Sequence, residues 1–527
     1  EAVATRLREG DVFSDISLAG PGFLNLTVTN EVLVNILTDM AEDPRQGAWH
    51  RPDPEKVMID YGGPNVAKPL HVGHLRSAII GEAMKRLFRV VGDDVLGDIH
   101  LGDWGLQMGQ LISQVAIEQP DLPYFDENAS GPYPEVSPVT VEELARIYPL
   151  ASTACKEDEG RMKAAQTATA ELQAGRPGYR ALWQHFIDVS KAALEKDYAE
   201  LGVSFDLWKG EADADPFIPP LVEKLKADHL LEESDGAQVV MVARESDKKE
   251  MPPLMVIKSN GSVGYGSTDL ATILERVQDF NVDRIIYVVD QRQGQHFEQV
   301  FRAADLAGLI KESQLEHTGF GTMNGKDGKP FKTREGGVLR LRDLIDMVVR
   351  EATERLAQGG MVKDYSPEEQ AEIAKRVGIA ALKFADLSNP RMSDYIFDPE
   401  KFVTFEGKTG PYLLYATVRI KSVLTKAGED GEGHPFLLEA QEEKELALAL
   451  AAYPEAVKSA YEKRLPHILC DHAYRLGQSF SKFYAQCRIG DEANASLRQS
   501  RLRLAKITYD QLIAVLDILG IEVPDRM

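Results

Sequence analysis

The string Lys68-Pro69-Leu70-His71-Val72-Gly73-His74 sets two imidazoles on either side of a glycine, with an ammonium three residues upstream. A glycine there lets a nucleotide base or ribose approach the backbone closely. If the string opens a helix, the free amides of the first turn and the imidazole donors meet a triphosphate where negative charge develops. The competing reading is a pair of surface histidines that merely cap a helix, and the string alone leaves both open. Far along the chain, residues 325–337 read Gly-Lys-Asp-Gly-Lys-Pro-Phe-Lys-Thr-Arg-Glu-Gly-Gly, a glycine-rich loop with four cations. Mobile cations can close on a pyrophosphate leaving group and release it afterwards. Taken singly that stretch reads better as a solvated loop. In company with His71 and His74 the phosphate reading prevails.

Such residues need a scaffold, and the surrounding pattern supplies one. Residues 57–61 form an apolar run that reads as a buried strand, a Gly62-Gly63-Pro64-Asn65 turn follows, and residues 72–91 carry helical periodicity. Strand, polar loop and helix make the opening unit of a doubly wound sheet, whose ligands bind beyond the carboxyl ends of the strands. Residues 95–100 read as a second strand. Residues 119–139 are rich in Pro, Asp and Glu, and long helices are expected over 141–202 with a break at Gly175 and Pro177. Strand-like runs at 238–242 and 254–258, a helix over 268–280, a strand over 284–290 and a helix over 295–307 are expected to complete a second βαβ set, with a last strand at 316–323. From residue 341 the pattern is helical almost to the end. The first fifty residues read as the tail of a small α/β module.

The chain has 527 residues, 43% hydrophobic and 27% charged, which is too long for one ordinary core and fits two to four folded domains. No apolar run approaches the ~20 residues a membrane helix needs. Three scattered cysteines, Cys155, Cys470 and Cys487, have neither a disulfide framework's number nor a zinc site's spacing. A reducing, cytoplasmic setting is expected, with no structural zinc. The chain starts at Glu1 without a basic-then-apolar leader, so an upstream segment is expected to have been processed away or left out. A net charge of -23 argues against a nucleic-acid binder, yet residues 455–506 hold ten Lys or Arg against five Asp or Glu. A partner feels the local field, so RNA stays compatible with the acidic body.

His71-Val-Gly-His74 resembles the first signature of class I aminoacyl-tRNA synthetases, and Phe331-Lys-Thr-Arg334 stands where their lysine-methionine-serine-lysine loop belongs. Arg334 in place of the second lysine, and Lys68 before the first histidine, are departures common in the arginyl-tRNA synthetase family. The run from Asp60 to Ser77 closely resembles that family's signature, as do Phe384-Ala-Asp-Leu-Ser-Asn-Pro-Arg391, Asp394-Tyr-Ile-Phe-Asp398 and Phe405-Glu-Gly-Lys-Thr-Gly-Pro-Tyr412. The likeness runs from about residue 15 to the end. It implies an α/β fold: a Rossmann-like, doubly wound parallel-sheet catalytic domain with an inserted connective region, followed by an all-α anticodon-binding domain. The implied division is 1–50 for the back part of an additional tRNA-binding domain whose front part is missing, 51–118 and 236–345 for the two catalytic halves, 119–235 for the insertion, and 346–527 for the stem and anticodon domain.

The resemblance also implies roles. Lys68, His71, His74 and Lys332 would align ATP and neutralise its phosphates, with Mg²⁺ bridging phosphate oxygens. Gly73, His296, Phe331, Thr333 and Arg334 would complete the ATP site. A guanidinium presents five donors and stays charged, so its pocket needs carboxylates and planar acceptors. Asp60 and Asp269 would be the acids, Tyr265 would cover the guanidinium plane, and Asn65 and Gln293 would hold the rest of the arginine. No metal is expected to be held by the protein itself. The arginine carboxylate would attack the α-phosphorus of ATP, and the 2′-hydroxyl of the terminal adenosine of tRNA-Arg would then attack the adenylate; the family commonly needs bound tRNA for the first step. Phe480, Phe483 and Tyr484 fall on one helical stripe and read as core, so Arg475, Lys482, Arg498 and Arg501 are the expected tRNA contacts. A monomer is expected. A small-molecule nucleotidyltransferase would not need the long helical C-terminal half, and a non-catalytic RNA-binding relative would be expected to have lost some of Lys68, His71, His74 and Lys332.

Overall fold

The computed structural model describes residues 2–20, 22–259, 263–329 and 339–527. A helix Ala2–Leu7 precedes an antiparallel pair, β1 (Phe13–Ala19) and β2 (Phe23–Val28), and a helix Asn30–Glu42. Thr29 caps that helix with its hydroxyl, and Asn30 Nδ2 donates to Leu438 O at 2.9 Å, which fastens the N-terminal segment to the helical half.

The parallel sheet that carries the site comprises β3 (Lys56–Tyr61), β4 (Asp94–Asp98), β8 (Arg284–Val288) and β9 (Leu315–His317), in the order β4-β3-β8-β9. The chain leaves β3 toward one edge through the Val72–Val90 helix and returns at β8 to build the other edge. The switch point therefore lies between β3 and β8, where diverging loops open a crevice. Val57, Met58 and Ile59 are buried on both faces, as a central parallel strand requires. Asp60 is in register with Asp98 on one side and Tyr287 on the other.

Between the halves stand the helices Leu106–Glu118, Val141–Glu157, Glu159–Gln173 and Pro177–Glu200. Then come β5 (Leu231–Ser234), β6 (Ala237–Val240) and β7 (Leu254–Ile257). Residues 238–242 and 254–258 were expected to serve the second βαβ set; instead β5-β6-β7 form a separate antiparallel sheet. The reason is a hairpin at Asp235-Gly236, both at positive φ (49° and 77°), a turn that matches the twist of antiparallel strands. The helix expected from residue 268 starts at Tyr265 and runs to Phe280. The single strand expected over 316–323 is broken: β9 ends at His317, and β10 (Met323–Asn324) pairs in parallel with β11 (Tyr395–Ile396), far along the chain.

Beyond residue 339 lie the helices Leu341–Gln358, Pro367–Leu387, Gly410–Ala427, Gln441–Ala451, Tyr453–Lys463, His467–Gln486 and Ala495–Ile518. They join the catalytic body through specific pins. Tyr461 donates to Asp93 Oδ2 at 2.8 Å, accepts from Arg51 Nη1 at 2.8 Å and lies 4.5 Å from the Phe88 ring. Lys383, fully buried, donates to Leu201 O and Gly520 O, each at 2.6 Å. Among the described residues no helix is long and apolar enough to cross a membrane.

Candidate active site

The histidine corner is a helix cap built from its own side chains. His71 is the N-cap of the Val72–Val90 helix, with extended backbone. Its Nδ1 accepts the Gly73 N–H at 3.0 Å, and His74 Nδ1 accepts the His71 N–H at 3.1 Å. Because each Nδ1 accepts, the proton of each neutral ring must sit on Nε2. Burial, helped by the neighbouring charge of Lys68, depresses both imidazoles, His74 to about 3. Two neutral Nε2–H donors, rings 3.8 Å apart, are thus preset at a helix N-terminus. Lys68 Nζ lies 4.6 Å over the Tyr148 ring of the inserted region.

The corner is tied to the chain just past the cationic loop. Val72 N donates to Leu339 O at 3.1 Å and Leu341 N to Leu70 O at 2.9 Å, with an antiparallel bridge between His71 and Arg340. Phe331, Lys332, Thr333 and Arg334 themselves lie outside the described residues. Beside the corner is a cavity of about 230 Å³, lined by His71, Gly73, Arg76, Asp290, Phe320 and Thr322 among others. It stands above the ends of β3 and β8, at the switch point.

In the acidic pocket the chain itself supplies a partner to each of the two expected carboxylates. Asp60 does not stand free for a ligand guanidinium, because the chain supplies its own: Arg276 Nη2 donates to Asp60 Oδ2 at 2.6 Å and to Asp98 Oδ2 at 2.7 Å. Donor atoms of Asp60, Asp98 and His100 lie within 4.8 Å of one another, and the cation shared by the two aspartates is Arg276. Burial pushes Asp60 up; against its own burial, Asp98 is held well below the usual carboxylate range by His100 and Arg276. Asp269 does stand at the expected helix start, one turn after Tyr265, a residue that is 74% exposed. His296, expected in the ATP site, has its Nε2 2.6 Å from Asp269 Oδ2. That hydrogen bond raises the imidazole. Gln293, exposed, immediately precedes the Gly294–Leu306 helix that carries His296. Asn65 is exposed after β3 and bears on Gly102, where any side chain would overlap its Oδ1.

Glu211 is an acid the sequence reading missed. Strand-like pairing of residues 101 and 210 brings it beneath this pocket, where burial raises its carboxyl and Asp269 and His100 lie within electrostatic reach. Nothing in the local string Lys-Gly-Glu-Ala-Asp marks it; only the tertiary pairing does.

Of the four basic residues expected to touch tRNA, Arg475 and Lys482 are exposed and lie two turns apart on the His467–Gln486 helix. Arg498 is half-buried and paired with Glu429. Arg501 is a correction: it is buried, bonded through Nε to Glu443 at 2.7 Å and through Nη1 to Glu492 at 2.6 Å. A buried guanidinium paired with two carboxylates braces the helical bundle and is poorly placed to reach a phosphate.

This constellation agrees with what the chain is similar to. Residues 36–399 match the family model for tRNA synthetases class I (R), catalytic domain, and residues 413–527 match the DALR anticodon binding domain. An arginine–tRNA ligase of Maricaulis maris (strain MCS10) is 54% identical over 511 residues, covering 97% of this chain and 87% of its own length. One of Hyphomonas neptunium (strain ATCC 15444) is 53% identical over 528 residues, covering 100% of this chain and 90% of its own. Among solved structures, the arginyl-tRNA synthetase of Plasmodium falciparum superposes with a TM-score of 0.82 at 25% identity, over 100% of this chain and 89% of that one. The fold is shared as well by the arginyl-tRNA synthetase of Thermus thermophilus, with a TM-score of 0.80 at 23% identity, over 100% of this chain and 91% of that one. With the histidine corner, the switch-point cavity and the helical C-terminal half in place, the chain belongs to the class I arginyl-tRNA synthetase family.

Proposed function

We propose that the protein is an arginine–tRNA ligase that activates L-arginine with ATP and transfers it to the 3′-terminal adenosine of tRNA-Arg. The observation that carries this reading is the backbone pairing of residues 70–72 with 339–341. It sets the flank of the cationic loop, the histidine corner and the switch-point cavity side by side. In this reading the adenosine lies in the cavity and the phosphates meet His71 and His74 Nε2–H, Gly73 and the helix N-terminus, with Lys68 and Lys332 adding their charge. An oxygen of the arginine carboxylate bonds to the α-phosphorus, the bond to the β-phosphate oxygen breaks, and pyrophosphate leaves. The second step exchanges AMP for the 2′-hydroxyl of the tRNA. Catalysis is alignment and charge neutralisation, with no protein nucleophile.

The guanidinium is read into the slot of Asp269 and Glu211 under Tyr265, with Asn65 and Gln293 toward the amino-acid backbone. Asp60 serves by fixing Arg276. Mg²⁺ would ride on the phosphates: Asp290, on the cavity lining, is already engaged by Arg292 at 2.9 Å, which does not fit a protein cage for the ion. Arg475 and Lys482 are the tRNA contacts in this reading, and the division at residues 50, 118, 235 and 345 is retained. We further propose a cytoplasmic monomer.

The test is AMP release dependent on arginine, ATP and tRNA; preferential charging with another amino acid overturns the reading. His74→Ala should cut adenylate formation by about a hundredfold or more while tRNA binding stays. Asp269→Ala should raise KM for arginine about a hundredfold and leave that for ATP nearly unchanged.

A further inference from the structure

The far wall of the cavity, Phe320 to Met323, is held by a segment some seventy residues further along the chain. Residues 388–397, which leave the Pro367–Leu387 helix, run along its back as a strap. Gly321 N donates to Arg391 O at 2.9 Å, Tyr395 N to Thr322 O at 3.1 Å and Phe397 N to Asn324 O at 2.9 Å. Arg391 reaches both ways, its Nη1 donating to Gly319 O and its Nε to Arg464 O at 3.1 Å. Beneath the wall, Arg76 of the histidine-bearing helix donates to Ser393 O at 3.1 Å, pairs with Asp386 at 3.0 Å and faces the Phe320 and Tyr395 rings. Tyr395 OH donates to Asp386 Oδ2 at 2.9 Å. The wall is a short, irregular run with few ladder bonds of its own, so the strap supplies its backbone partners.

One side chain in the strap bonds directly to the backbone of the cavity wall. Asp394 Oδ1 accepts the Thr322 N–H at 2.6 Å. A Cβ on Gly321 would lie 2.6 Å from that oxygen, so the wall can come this close only as glycine. The Thr322 N–H, as a donor to the carboxylate, holds Asp394 below its ordinary range, while the Thr322 hydroxyl donates to Asn324 Oδ1 at 3.1 Å. Asp290 and Arg292, on the cavity rim, lie within its electrostatic reach.

We propose that Asp394 is a positioning residue for the nucleotide, fixing the Gly321–Thr322 wall of the cavity from behind. The proposal rests on the cavity being the adenosine site. A charge-assisted hydrogen bond to a backbone amide sets the height of the wall and makes no contact with the arginine slot, so its loss should weaken ATP alone. Asp394 is exposed, so its replacement leaves no buried group unpaired on its own side.

The experiment measures ATP and arginine affinities by calorimetry on the full chain, with melting temperatures alongside. Asp394→Ala should raise the ATP dissociation constant about tenfold, the size of one lost charge-assisted hydrogen bond. Asp394→Asn keeps an acceptor oxygen without the charge and should lie between, at about threefold. Arginine affinity and melting temperature should stay at parental values for both. If Asp394→Ala melts early, the Asp–Asn comparison carries the test by itself. Parental ATP affinity in the variants, or an equal loss for arginine, overturns the strap and leaves the functional reading standing. A parent chain that binds arginine but no ATP overturns the reading of the cavity, and the strap with it.

Discussion

Arg276 shows how a single residue can redirect a site. Its guanidinium is buried between Asp60 and Asp98, so the carboxylate that sequence spacing offers to a substrate is already paired within the chain; in the function proposed above, Asp269 and Glu211 meet the incoming guanidinium. Asp103 in the same neighbourhood has the opposite problem. It is buried, accepts the Ala212 N–H at 3.0 Å and faces Glu211, Asp213 and His100. Burial, then the charge of Glu211, pushes its carboxyl from 3.8 up to about 7. Between those two values the folded chain holds a proton that the unfolded chain has released, so stability falls as pH rises through the window and stays low above it. Asp103→Asn removes that titration while keeping an acceptor for Ala212. Thermal melts from pH 4 to 8 should find the variant more stable above pH 7, by on the order of a few kcal/mol, and equal to the parent near pH 4. A constant difference across the range would show that Asp103 is not the group that titrates.

At the scale of elements, the Val72–Val90 helix must lie close on β3 for its N-terminus to reach the cavity, and Gly81 is what permits it. Any side chain at Gly81 would overlap the Tyr61 ring. Tyr61 is held in place, since its hydroxyl lies 2.9 Å from Glu82 Oε2 and 2.7 Å from Ser204 O and shares its one proton between them. Gly81→Ala should therefore cost roughly 1–3 kcal/mol by overpacking, seen as a lower melting temperature, and should slow adenylate formation by moving the histidine corner. An unchanged melting temperature would mean that the contact yields. The first βαβ unit was legible because its strand is one apolar run and its helix has a clean period. The second half was less so. β6 and β7 are apolar enough to pass for parallel strands, and only the Asp-Gly hairpin signal before β6 says otherwise. The break between β9 and β10 was invisible, because the partner that captures β10 lies near residue 395.

For the molecule as a whole, a net charge of -23 leaves tRNA binding to a local surface, and the fold decides which basic residues belong to it. Arg475→Ala and Lys482→Ala should each weaken tRNA binding evenly across sequences and reduce its salt dependence by about one ion, without loss of stability. Arg501→Ala should instead strip Glu443 of its partner in the core and destabilise the helical domain by about 3–5 kcal/mol. Titrating tRNA affinity against salt, with melts in parallel, separates the two classes. The residues written in sequence were enough for the fold class, the histidine corner and the arginyl-tRNA synthetase resemblance, because these rest on local spacing: a strand, a cap and a helix are decided by neighbours a few positions apart. Which carboxylates and which arginines are already paired within the chain, and what backs the cavity wall, were decided only by tertiary structure. Each depends on a partner far away in the chain, such as Asp60 with Arg276, Glu443 with Arg501 or Thr322 with Asp394, and a charge already paired on folding looks, in sequence, the same as one left for a ligand.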